Sequence, residues 1–266
     1  MNRIPTIALL LVSLSGAASA QECKYEKYFY WSEMATLDYQ AGNWAGANDK
    51  FKKTFSKAPF PLGADLNLAL KAAVQVRDTV WADTLAVYLA KGGIPLAFFQ
   101  PFRNYEWYDA FEQSFDQYRT YFKTRFDTVL IEKMTKLYIR DSIFNDKYHQ
   151  WRTRKIEMTL DEMIAGAKGI SREFKEIISE HGFPCEQNMG YYFKDGKIDE
   201  FPLLVLLAHI YQRGELLYKD RLTNIICDGK FRRTQQAVLN GFNGYGDNTG
   251  VEQGMKIRYE QYRMKN

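Results

Sequence analysis

YFYWSEMATLDYQAGNWAGANDKFKKTFSKAP, residues 28–59, is the stretch whose reading decides the fold. Its marked residues are Trp31, Met34, Ala35, Gly42, Trp44, Ala47, Phe51 and Pro59, at offsets 0, 3, 4, 11, 13, 16, 20 and 28. Steps of three and four put side chains on one helix face, and Ala41-Gly42-Asn43 interrupts the pattern. Two helices joined by a short turn are therefore expected. Small Ala35 and Ala47 let them approach closely, Trp31 and Phe51 fill the space beside them, and Pro59 stops the second helix.

This spacing resembles the tetratricopeptide repeat, an antiparallel helix pair of about 34 residues. A second copy is less regular. Leu68 and Ala69 follow Met34 and Ala35 by 34 residues, whereas Trp81 and Tyr88 follow Trp44 and Phe51 by 37, which predicts a longer turn around Arg77-Asp78-Thr79. A plain two-helix hairpin stacked on other helices is the alternative reading. Gly92-Gly93 and Pro95 end the unit, giving a repeat region over 21–93. The next segment, 94–126, reads as an aromatic-rich helical connector, with twelve aromatic residues between Phe98 and Phe126. Tyr108, Phe111, Phe115, Tyr118 and Phe122 form a helical stripe, for which packing is the ordinary explanation. Tyr105, Trp107 and Tyr121 lie off that stripe. With Trp44 they are the candidate ligand-binding aromatics of an exposed platform for a peptide or sugar ring.

Residues 1–20 carry Arg3, the apolar run Ile7 to Val12 and a small-residue end at Ser19 and Ala20, the three parts of a signal peptide. Cleavage is expected between Ala20 and Gln21, and the apolar run is too short to span a bilayer. A periplasmic or secreted protein is the expectation. The chain has 266 residues, is 46% hydrophobic and 26% charged, and carries a formal charge of +4, which becomes +3 when Arg3 leaves with the signal. That composition excludes a disordered or disulfide-dense chain, and the charge is too slight to imply nucleic acid. Three cysteines leave at least one thiol over. Cys185 with Cys227 is the preferred pair, on the view that Cys23 sits on a frayed end. Three unpaired thiols are the alternative.

The C-terminal half reads as a second helical domain over 127–250, with a tail over 251–266. A long helix is expected from Asp127 through Asn145, interrupted by charge from Asp146 to Glu157. A second runs from its N-cap Thr159 to Gly182. A hairpin or loop is expected near Asp195-Gly196, then a buried helix from Phe201 to Tyr211, and an amphipathic one from Leu216 to Cys227. Four features stand in order: His181-Gly182-Phe183-Pro184 before Gly190, Leu206-Leu207-Ala208-His209, Asp220-Arg221, and Tyr245-Gly246. Together they resemble an uncharacterised bacterial domain family. Its members carry Asp-Gln-x-x-Arg in the first long helix, where this chain has Asp141-Ser142-Ile143-Phe144-Asn145, so a polar site of that kind is kept only in part. The resemblance implies fold and carries no activity.

The chemical inventory is thin. His209, embedded in apolar residues, would be desolvated, and burial disfavours a charged imidazole and leaves it able to accept a proton. A satisfied core histidine is the more ordinary reading. His181 ends a helix, where capping explains it. Asp220-Arg221 reads as a solvated pair, as do the clusters Arg152, Arg154, Lys155 and Lys230, Arg232, Arg233. No metal motif, phosphate loop or nucleophile elbow occurs, and no cofactor is implied. The expectation is an all-α protein of stacked helix pairs on a second helical domain, with at most one small β-hairpin. It is expected to act as a binding or scaffolding module for a peptide, protein or glycan. The alternative is a hydrolase centred on His209, with His181, Asp220, Arg221 and Tyr211 as partners.

Overall fold

The computed structural model describes residues 23–153, 155–241 and 250–263. The expected signal peptide with its cleavage site and the Tyr245-Gly246 pair lie outside the described residues. The fold is all-α with one small β-hairpin.

Helices α1 (Glu26–Gln40) and α2 (Trp44–Phe55) form the first hairpin, and α3 (Gly63–Gln75) and α4 (Thr79–Lys91) the second. Ala35, Ala47 and Phe51 are fully buried between the helices, as their spacing predicts. The second hairpin corrects the expected register. Asn43 and Asp78 cap α2 and α4 through their side chains, and the preceding residues, Gly42 and Arg77, both take positive φ. Asn43 N–H bonds to Asp38 O and Asp78 N–H to Ala73 O, each at 2.9 Å. Every one of these pairs is offset by 35 residues. The 37-residue spacing of Trp81 and Tyr88 is therefore not the repeat: Ala82 and Ala86 occupy the places of Ala47 and Phe51, and Tyr88 stays 48% exposed. The longer turn does not exist.

Short α5 (Leu96–Phe99) and a 3-10 turn lead to α6 (Tyr108–Gln113) and α7 (Phe115–Arg125), both packed on α4. The helix breaks at Ser114, yet the aromatic stripe stays continuous, with Tyr108, Phe111 and Phe115 buried. Next, α8 (Thr128–Arg152) runs seven residues past its expected end and pairs with α9 (Leu160–His181), which begins in a capping box of Thr159 and Glu162. Amphipathic α9 buries Met163, Ala167, Ile170, Phe174 and Ile177 on one face.

A single turn, α10 (Glu186–Met189), precedes β1 (Tyr192–Lys194) and β2 (Lys197–Asp199). Phe193 pairs with Ile198 across them, and Asp195-Gly196, both at positive φ, makes the turn. Apolar α11 (Leu203–Gln212) packs on α8. The expected helix from Leu216 is shorter: a 3-10 turn over Lys219–Arg221 leads into α12 (Leu222–Cys227). After α13 (Arg233–Gly241), the expected tail is instead α14 (Gly250–Arg263), laid on α9 with Val251 and Met255 buried.

Two buried clusters interlock. Tyr25, Tyr28 and Phe29 of the N-terminal end belong to the core of α8, α9 and α11. In exchange, Tyr191 and Ile198 enter the core of the helix repeat. Tyr191 fixes the junction. Its N–H bonds to Gly92 O at 2.7 Å and its hydroxyl to Pro61 O at 3.0 Å. Its ring fits only because Gly63 and Gly92 lack side chains: a Cβ on Gly92 would lie 2.1 Å from the ring, and one on Gly63 2.8 Å.

Candidate functional site

A cavity of about 440 Å³ opens at this junction, lined by segments remote in sequence. Leu62 and Phe122 come from the repeat side, Ile131 from α8, Met189 from α10, and Phe201, Leu203 and Phe231 from beyond the hairpin. Its polar end holds Cys185, Glu186, Glu200, Lys230, Arg232 and Gln235. Such a mixture, mostly apolar with a few convergent polar groups, is typical of ligand sites.

The polar end is built on buried ties. Asp65, 2% exposed, interrupts the apolar face of α3. It accepts a 2.7 Å bond from the Tyr28 hydroxyl, which itself accepts the Leu62 N–H at 2.8 Å. Arg232 donates to Asp65 at 3.3 Å through one guanidinium nitrogen and pairs with Glu200 through Nε. Gln235 donates to Glu200 as well. Burial pulls the Arg232 pKa down, but Asp65 and Glu200 outweigh it and hold the guanidinium more firmly charged than usual. Burial raises Glu200, with Arg232 opposing.

Glu186 opens α10, and its Oε2 accepts the Gly63 N–H at 2.8 Å. Burial pushes its carboxyl up to about 8; Arg232 and the Gly63 N–H work against that, while Glu200 and Asp65 reinforce it. Glu186 is thus protonated at neutral pH and able to donate. Beside it, burial raises the Cys185 thiol, which keeps it protonated rather than nucleophilic.

Cys227 is bonded to Cys23, with Cα atoms 4.5 Å apart, and not to Cys185, which is free. The expected pairing fails because the N-terminal end is docked rather than frayed. Tyr25 N–H bonds to Cys227 O at 3.2 Å, and the Tyr25 ring covers Gly229. The bridge thereby anchors the 228–232 segment that forms one wall of the cavity.

The aromatic candidates do not converge. Trp107 is a core residue, 8% exposed, in edge contact with Phe111, which corrects its expected exposure. Tyr105 stacks on Trp107 with ring centres 6.4 Å apart, while Trp44 packs edge-on against Tyr39. Only Tyr121 of the four lines a described cavity, a groove of about 510 Å³ shared with Tyr88, Lys91 and Arg125 on the other side of Tyr191.

The histidines are separately engaged. His209 Nδ1 lies 2.6 Å from Asp141 Oδ2, and Asp141, fully buried, also accepts Arg213 at 2.6 Å, so this network ties α11 to α8. His181 Nδ1 lies 2.7 Å from Asp127, the N-cap of α8. Asp127 is held below the usual carboxylate range: burial opposes this, but the Leu130 N–H and His181 outweigh it. The Tyr211 hydroxyl donates to Leu217 O, and Asp220 and Arg221 are exposed on their 3-10 turn. Among the described residues, no bond draws His181, His209, Asp220, Arg221 and Tyr211 into one constellation.

No protein-family model, curated protein or solved structure matches the chain. The site is therefore read from its own geometry. The sequence pattern alone passed over it: Arg232 and Lys230 read as a solvated cluster, and nothing in the pattern singled out Glu186 or Glu200. One signal was present, the acidic Asp65 within the mostly apolar stretch Leu62 to Leu70.

Proposed function

We propose that this chain is an exported binding protein whose ligand sits in the cavity between the helix repeat and the C-terminal helices. The observation that carries this reading is the cavity's division into an apolar body and one polar end built on Glu186, Glu200 and Arg232. A purely structural ion network would be filled in; this one borders about 440 Å³ of open space. The two hairpins at a constant 35-residue offset support the tetratricopeptide-like reading of the N-terminal region, and stacked pairs of this kind present recognition surfaces. The Cys23–Cys227 bridge supports a periplasmic or secreted address, where such bonds persist. The hydrolase reading has no comparable support, since its residues are dispersed: His181, His209 and Tyr211 are engaged with separate partners, and Asp220 and Arg221 are exposed.

The neutral fluorophore N-phenyl-1-naphthylamine tests the proposal. Saturable fluorescence enhancement is expected. Thr135→Trp, an exposed position of α8 at the cavity edge, is expected to weaken it by about tenfold or more. Absence of saturable binding, or identical titrations for the two proteins, would refute the cavity as the site.

A further inference from the structure

We propose that the cavity takes a small organic cation, an amine on an apolar body, whose ammonium group is held at Glu186. The inference rests on the reading of the cavity as the ligand site and specifies its ligand class. Charge balance at the polar end leads to it. Asp65 from α3, Glu186 from α10, Glu200 after β2 and Asp228 after α12 supply four carboxylates. Against them stand two cations. Arg232 is engaged by Asp65 and Glu200, and Lys230 lies 3.4 Å from Asp228. The remaining titratable neighbours, Cys185, Tyr25, Tyr28 and Tyr191, are all raised by burial and stay neutral. Glu186 is thus the one of the four that makes no ion pair among the described residues, with Arg232 acting on it only from beyond contact.

A proton fills that role, because burial raises the carboxyl to about 8. Oε2 is occupied by the Gly63 N–H, while Oε1 makes no hydrogen bond among the described residues. An ammonium group entering at Oε1 takes the proton's place, and the displaced proton passes to solvent. The walls suit an organic body better than a hydrated metal ion. Tyr192 and Phe201, 5.4 Å apart edge to face, and Phe231 offer ring surfaces to a cation and its carbon frame. A metal would need several open oxygens, and Glu200 and Asp65 are already committed to Arg232.

Displacement of N-phenyl-1-naphthylamine by three near-isosteres tests this: phenethylamine, 2-phenylethanol and 3-phenylpropanoate, each titrated at pH 6 and 8.5 against wild type and Glu186→Gln. Phenethylamine is expected to compete best at pH 8.5. Its affinity should fall by roughly 50- to 100-fold at pH 6, as the proton reclaims Glu186. In Glu186→Gln that pH dependence should vanish, and the amine should lose its advantage over the alcohol. Tighter binding of 3-phenylpropanoate would overturn the cation assignment in favour of an anion at Arg232. So would equal competition by all three, or displacement by none. If the fluorophore itself fails to bind wild type, the cavity reading fails instead.

Discussion

Replacing Glu186 by Gln should make the protein more stable as the pH rises. Gln keeps an oxygen to accept the Gly63 N–H and imitates the neutral carboxyl. In the wild type, the folded state holds a proton up to about pH 8, whereas the unfolded chain releases it near the usual 4.5. Between those values the folded state binds more protons, so stability falls with rising pH. The stabilising proton is fully present below pH 4.5 and its benefit is lost by the time the pH passes 8. At about 1.4 kcal/mol per pH unit, the whole interval corresponds to about 5 kcal/mol, of which about 3 kcal/mol is lost by pH 7. Urea denaturation followed by circular dichroism at pH 5, 7 and 9 measures this. The stability of Glu186→Gln minus that of wild type should grow by about 4 kcal/mol from pH 5 to 9. A difference independent of pH would refute the burial of an open carboxyl at this position.

Other predictions concern the frame around the site. Gly92→Ala drives a Cβ into the Tyr191 ring and should cost about 1–3 kcal/mol in urea denaturation. Gly169→Ala, within α9 and with no atom near its Cβ position, should instead gain about 0.5–1 kcal/mol. Cys23→Ser opens a bridge spanning 204 residues, and should lower stability by about 3–5 kcal/mol relative to oxidised wild type but little under reducing conditions. Asp141→Ala takes the shared carboxylate from buried Arg213 and His209 and should cost about 3 kcal/mol or more, with N-phenyl-1-naphthylamine binding by the remaining folded protein unchanged.

The first hairpin was legible because Ala35, Ala47 and Phe51 repeat at helical spacing around a glycine turn. The second was misregistered because Arg77 takes the left-handed conformation that Gly42 supplies in the first. The matched caps Asn43 and Asp78 carried the true offset, whereas the conspicuous Trp81 and Tyr88 did not. Likewise, the Asp195-Gly196 turn, expected as a hairpin or a loop, and the N-cap Thr159 are local signals. The disulfide and the cavity are not. Cys23 meets Cys227 where Tyr25 docks beside it, and Glu186, Glu200 and Arg232, remote in sequence, gather at the junction where Tyr191 packs on Gly63 and Gly92. Trp107 misled for a related reason: it precedes α6 and lies off the aromatic stripe, yet neighbouring Phe102 and Tyr105 cover it.

The most direct measurement is a crystal structure of the protein with N-phenyl-1-naphthylamine bound. The rings should lie in the cavity between Met189, Phe201 and Phe231, beside Glu186. Density for the fluorophore in the Tyr88 and Tyr121 groove, with the cavity empty, would contradict the assignment of the site.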